Sequence, residues 1–374
     1  MKKPETSNHR RIKRWACRLA AVLLAIGPVP GIFAGCAAGQ EKAEDGRMKV
    51  VTTIFPPYDF ARAISGEEER AGVRMLLAPG EEVHSYEPTP LDIKEIQNCD
   101  LFIYVGAEND VWVDRILENM GDQKPETLRL VDLTDTVAEE IVEGMMQERG
   151  HDHGEEEGHD HEDSHEEEEE HDYEDSHEEE EHAHSGDSSH AEHEEADEHV
   201  WTSPVKAAQI TEAIAQKMAQ IDPANADYYM ANAGDYEAQI LDLDEQFRQI
   251  TEHAERSTLV FGDRFPIRYF AEEYGLDYYA AFPGCSSESE PSASTLAFLI
   301  DKVREEQIPV VFSIEFSNGN IARAICESTG AVQRTFYSCH NVTKEQMLGG
   351  ATYVSMMREN LNVIREALGE GEKK

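Results

Sequence analysis

The segment "KVVTTIFPPYDFARAISG" (residues 49–66) decides how the rest of the chain is read. Its first seven residues form a short β-branched and aromatic run, the pattern of a buried strand. "PYDFARAISG" follows at once with apolar positions at helical spacing and a closing glycine. The same alternation continues through "VRMLLAPG" (73–80, strand), "PLDIKEIQNC" (90–99, helix), "DLFIYVG" (100–106, strand), "DVWVDRILENM" (110–120, helix) and "TLRLVDL" (127–133, strand). A parallel neighbour requires a crossover connection, so strands separated by single helices imply βαβ units and a parallel sheet.

The pattern returns after residue 256. "TLVFGD", "LDYYAAF", "PVVFSIEF" and "AVQRTFYS" read as strands, separated by "PIRYFAEEYG", "SASTLAFLIDKVREEQ" and "NIARAICESTG" as helices, and a long C-terminal helix closes the chain. Between the two α/β blocks, "HVWTSPVKAAQITEAIAQKMAQID" begins a helix at Ser203 as N-cap with Pro204 in its first turn. Asp222-Pro223 repeats that start signal and opens a stretch to Glu255, about 48 Å at helical rise, long enough to join two lobes. The expected fold class is α/β: two Rossmann-like lobes with parallel sheets joined by one long rigid helix. A ligand cleft would lie between the lobes, at the carboxyl ends of the strands.

Net charge is −44, but its distribution matters more than its size. Residues 151–199 hold 25 of the 77 acidic residues and 12 of the 16 histidines, with no lysine or arginine. The rest of the chain is an ordinary acidic protein, which argues against a nucleic-acid partner. So polar and charged a tract buries too little apolar surface to offset chain entropy and is expected to be disordered.

The first 36 residues read as an export signal: a basic start with Arg10, Arg11, Lys13, Arg14 and Arg18, an apolar run from Leu19 to Val29, then small residues. That run is too short to span a bilayer. It ends in Phe33-Ala34-Gly35-Cys36, similar to a bacterial lipobox with Phe33 in place of the usual leucine, so Cys36 is the expected lipidation site. Four further cysteines remain. Cys99 and Cys326 lie in apolar surroundings, whereas Cys285 and Cys339 sit in polar loop sequence. In an oxidising compartment a Cys285–Cys339 disulfide is the preferred pairing, with thiolate ligation as the alternative.

Residues 50–93, "VVTTIFPPYDFARAISG" followed by "MLLAPGEEVHSYEPTPLDI", resemble the zinc- and manganese-binding proteins of ABC importers, the ZnuA/AdcA/TroA-like family. The resemblance runs on through "CDLFIYVG", "DEHVWTSP", "FAEEYGL" and "EPSASTLAFLIDKVREEQIPVVFSIEFSN". It implies a non-enzymatic, extracytoplasmic lipoprotein, monomeric and anchored outside the cell membrane through Cys36. Such a protein captures Zn2+, with Mn2+ as second choice, and hands it to a permease and its ATPase. The organisation would then be a signal peptide (1–36), tether (37–48), first lobe (49–150), His-rich loop (151–199), the end of the first lobe (200–222), linker helix (223–255) and second lobe (256–374).

By the same resemblance His84, in "HSYEPTP", and His199, in "EHVW", match the first two metal ligands. The second lobe departs from the pattern. Where zinc-binding members carry a third histidine this chain has Asp263 and Arg264, and where they carry a late aspartate it has His340. A guanidinium stays protonated and only donates, so Arg264 cannot ligate. His340 becomes the expected nitrogen ligand, Asp263 an oxygen candidate and Glu315 a weaker one. His151, His153, His159, His161, His165, His171, His177, His182, His184, His190 and His193 would form an auxiliary metal collector. Two other readings stay open: a surface metal buffer or adhesin acting through the tract, and a secreted metal-dependent hydrolase. The second is disfavoured because no G-x-S-x-G or Walker A loop is present, and the HExxH string at residues 161–165 falls in the tract expected to be disordered and not on a helix.

Overall fold

Two sheets of identical strand order build the protein. In the first, β1 (Met48–Thr52) lies between β2 (Ala71–Met75) and β3 (Leu101–Tyr104), with β4 (Glu126–Arg129) at the far edge. In the second, β5 (Thr258–Phe265) lies between β6 (Asp277–Pro283) and β7 (Val310–Ile314), with β8 (Val332–Phe336) outermost. Every pairing is parallel. The crossovers are α1 (Phe55–Ile64), α2 (Pro90–Gln97) and α3 (Val111–Met120) in the first sheet. The computed structural model describes residues 46–66, 69–106, 110–145, 196–286 and 290–369, with His84 described by its backbone only. Cys36 and the eleven tract histidines lie outside the described residues.

Local chemistry sets the boundaries. Ser203 accepts from the Lys206 amide and starts α4 (Pro204–Ile221), and Thr89 forms a capping box with Asp92 at the head of α2. Asp222-Pro223 begins a 3-10 turn over Pro223–Asn225, so the long helix α5 runs from Ala226 to Glu252, shorter at both ends than the sequence pattern predicts. Its 27 residues span about 40 Å. The second sheet is crossed by α6 (Arg268–Tyr274), α7 (Ala293–Glu305) and α8 (Asn320–Thr329). The chain ends with the short α9 (Lys344–Leu348) and α10 (Tyr353–Leu368).

One apolar core runs through both sheets and the long helices, with Trp201, Tyr229, Phe247, Phe270 and Tyr353 wholly buried in it. Asp59 of α1 binds that assembly together by accepting from the Tyr236 hydroxyl of α5 and from the Tyr353 amide of α10, 2.8 Å away. Among the described residues no helix is long and apolar enough to cross a membrane.

Two details aim residues at the space between the sheets. The β5–β6 register shifts between Phe261 and Arg264, a bulge that re-aims Asp263 and Arg264. Gly262 lies at the shift because a Cβ there would stand 2.5 Å from the Ala322 backbone of α8. The loops after β2, β5, β7 and β8 thereby meet at the carboxyl ends of both sheets, where open α/β sheets bind ligands.

Candidate metal centre

Glu198, His199 and His340 each bring a potential ligand atom within 4.8 Å of the others, and all three are buried. Among the described residues this is the group of three or more such side chains that could hold a metal ion. The imidazole rings of His199 and His340 meet edge to face, with centroids 4.7 Å apart.

His199 is placed by its own neighbours. The Asp197 amide donates to the Val137 carbonyl, the Tyr269 hydroxyl to the Asp197 carbonyl, and both the amide and hydroxyl of Thr202 to the His199 carbonyl. The segment entering the 3-10 turn Val200–Thr202 is therefore fixed at several points. One Asp197 carboxylate oxygen accepts from the His199 amide at 2.8 Å and pairs with Nδ1 at 2.9 Å. With Nδ1 engaged there, Nε2 is the nitrogen left to ligate, and it is buried with no hydrogen-bond partner. Burial pushes the imidazole pKa down. The Asp197 carboxylate and its hydrogen bond, then the charges of Glu198 and Glu139, push it up, and the net shift is upward from 6.5.

His340 is placed by a relay. Its Nδ1 is 2.8 Å from the Ser338 hydroxyl, which donates to Glu315 at 2.7 Å, and the Ser338 amide donates to the other Glu315 oxygen at 2.7 Å. This again directs Nε2 toward the cleft. Burial pushes the Glu315 carboxyl up, and the bonds from Ser338 pull it back part of the way. The peptide on either side is clamped as well. The Trp201 indole donates to the Ser338 carbonyl at 2.8 Å, and the Phe55 amide to the His340 carbonyl at 3.1 Å.

The remaining predicted residues fall elsewhere. His84 lies in the 3-10 turn Val83–Ser85 of the loop after β2, and its side chain is outside the described set. Asp263 is not in the cluster. One carboxylate oxygen accepts from the Arg264 amide at 2.9 Å and the other from the Ile314 amide at 3.3 Å, so it braces the bulge and β7. Glu315 serves Ser338 and is likewise outside the cluster. Arg264 reaches the Glu82 carboxylate, 3.4 Å away, and Asn341 donates to the Ala78 and Glu81 carbonyls at 2.8 and 2.9 Å. Both contacts tie the second sheet's loops to the loop that carries His84.

The predicted Cys285–Cys339 disulfide is not formed. Cys339 adopts φ 65°, which turns its thiol away from the cleft mouth into the core, 3.7 Å from the Tyr337 carbonyl. Burial, then the charges of Glu315 and Asp59, push that thiol far above its ordinary range, and it is not among the side chains that converge with His199 and His340. Three contributors lay outside the sequence reading: Glu198, the orienting carboxylate of Asp197, and the Ser338 hydroxyl. "DEHVW" contains the first two, but in an acidic run they do not stand out.

The family model for the zinc-uptake complex component A, periplasmic, matches residues 50–367. The chain belongs to this family. Among its relatives is the high-affinity zinc uptake system protein ZnuA of Bacillus subtilis, 30% identical over 330 residues, covering 88% of this chain and 90% of that one. The zinc-binding lipoprotein AdcA of Streptococcus pneumoniae is 27% identical over 332 residues, and this chain spans 58% of its length. Among solved structures, the metal-dependent lipoprotein YcdH of Bacillus subtilis superposes with a TM-score of 0.64 at 26% identity, covering 86% of this chain and 99% of that one.

Proposed function

We propose that the chain captures zinc outside the cell in the cleft between its two sheets and delivers it to an ABC importer, acting as a monomeric binding protein and not as an enzyme. The observation that carries this reading is His199: a fully buried imidazole with Nδ1 held by Asp197 and Nε2 partnerless, facing a second oriented imidazole. Burying a polar nitrogen without a partner costs on the order of 1–3 kcal/mol, and a metal ion repays it. His340 supplies the second nitrogen, and His84 on the facing loop supplies a third.

Tetrahedral zinc with bonds near 2.0–2.1 Å keeps its ligand atoms about 3.3 Å apart, so a cluster within 4.8 Å needs only side-chain adjustment. Imidazole-rich sites favour zinc over manganese, which prefers oxygen donors. The names of the relatives support the same cargo, and the lipobox-like end at Cys36 supports an anchor on the outer face of the membrane.

The test is a zinc titration of the protein lacking residues 1–36, in competition with a chromogenic chelator. One tight equivalent is expected, with large losses in His84→Ala, His199→Ala and His340→Ala. Unaltered affinity in His199→Ala would reject the cleft as the site. Permease delivery is tested by zinc-limited growth of cells expressing His199→Ala in place of the parent, where rescue equal to the parent would count against it.

A further inference from the structure

The second lobe supplies few donors. Asp263 and Glu315 lie outside the cluster, where Asp263 accepts from the Arg264 and Ile314 amides and Glu315 from Ser338, and Arg264 only donates and faces Glu82. The Cys339 thiol points into the core. Among the described second-lobe residues this leaves His340 as the donor. The cluster's oxygen comes from the other side, from Glu198, next to His199 in the chain and 2% exposed.

Building on the metal-capture reading, we propose that Glu198 is itself a metal ligand: adjacent residues of one rigid segment, Glu198 and His199, grip the ion with a carboxylate oxygen and a nitrogen, and the second lobe closes on it with the single nitrogen of His340.

Three features support the assignment. Glu198, His199 and His340 converge within 4.8 Å, and the unpartnered Nε2 of His199 marks their meeting point as a ligand site. The backbone at Glu198 is held by the Val200 amide, which donates to the Glu198 carbonyl at 2.9 Å, and by the anchors on either side at Asp197 and His199, so the carboxylate is presented without loop reordering. A carboxylate donor at this depth also supplies the negative charge that neutral imidazoles lack, which a dication in a low-dielectric site requires. The site is therefore asymmetric, with the first lobe able to hold the ion and the second completing the shell.

The test compares Glu198→Gln, which keeps size but donates in place of one oxygen, and Glu198→Asp, which keeps the carboxylate on a shorter arm, with His199→Ala and the parent. Zinc affinity is read by chelator competition, and the zinc-induced rise in unfolding temperature is read on the same proteins. Loss of a direct ligand exceeds the 10–100-fold typical of an outer-shell partner, so Glu198→Gln should lose about 100-fold or more, with a correspondingly smaller thermal shift. Glu198→Asp should fall between Glu198→Gln and the parent. If Glu198→Gln binds within threefold of the parent while His199→Ala has lost the ion, the assignment of Glu198 is overturned and the cleft site stands. If His199→Ala also binds like the parent, both fall.

Discussion

Replacing Ser338 with alanine removes one oxygen atom and tests whether His340 is held by the relay. The Ser338 hydroxyl lies 2.7 Å from one Glu315 oxygen and 2.8 Å from His340 Nδ1, so the substitution removes one hydrogen bond from a buried carboxylate and one from a ring nitrogen together. Hydrogen bonds to charged groups contribute about 1.5–3 kcal/mol, and the Ser338 amide bond to the second Glu315 oxygen survives the change. The expected loss is thus that of one outer-shell partner, about 10–100-fold in zinc affinity, or about 1.4–2.7 kcal/mol. The assay is chelator competition on the purified protein, paired with urea unfolding of the metal-free form. Ser338→Thr, which keeps the hydroxyl, should recover most of the affinity. Zinc binding within twofold of the parent in Ser338→Ala, with only the unfolding midpoint lowered, would refute the relay and leave Ser338 a packing residue.

Zinc binding should weaken as pH falls from about 8 to about 5.5. The His199 imidazole titrates above 6.5, so protons displace metal from Nε2 as pH falls through that raised value. The metal-free protein should respond in the opposite sense. The stability contributed by protonated His199 beside Asp197 is fully present below 6.5 and lost as pH rises through the raised value; affinity that is flat across the range would contradict the first expectation, and urea unfolding of the metal-free form that does not change with pH would contradict the second. Trp201→Phe deletes the indole donor to the Ser338 carbonyl and leaves that acceptor buried, so urea unfolding should show a loss of about 1–3 kcal/mol; no change would show that the bond is dispensable. Cys36→Ala should move the protein from the membrane fraction to the soluble fraction, and recovery in the membrane at the parent's level would argue against lipidation.

The alternation of single strands and single helices was enough to read both sheets, because parallel pairing demands crossovers, and Ser203 was legible as a cap because its chemistry is local. Less local features escaped. The start at Asp222-Pro223 gave a 3-10 turn before α5, since the residue at the helix boundary, Asn225, sits outside helical geometry. His340 could be inferred from the nitrogen that Arg264 cannot provide. Glu198 could not be singled out, as its neighbours in sequence are acidic too and only the fold turns one carboxylate inward. Asp263 and Glu315 were candidates by their places in the family pattern and at a strand end, but the fold leaves both outside the Glu198, His199 and His340 group, bonded to Ile314 and Ser338, which are distant or moderately distant in the chain. Cys339 looked exposed in "YSCHN", and the positive φ that buries its thiol has no signature in residue type.

If the tight site is the cleft and not the histidine-rich tract, calorimetry on two altered proteins separates them. Zinc is titrated into the protein lacking residues 151–193 and into the full chain carrying His199→Ala. The deletion should keep one tight equivalent and lose several weaker ones, and His199→Ala should lose the tight equivalent while keeping the weaker ones. A deletion that abolished tight binding, beside a His199→Ala protein that retained it, would make the tract the primary metal-binding element and contradict the assignment of the cleft.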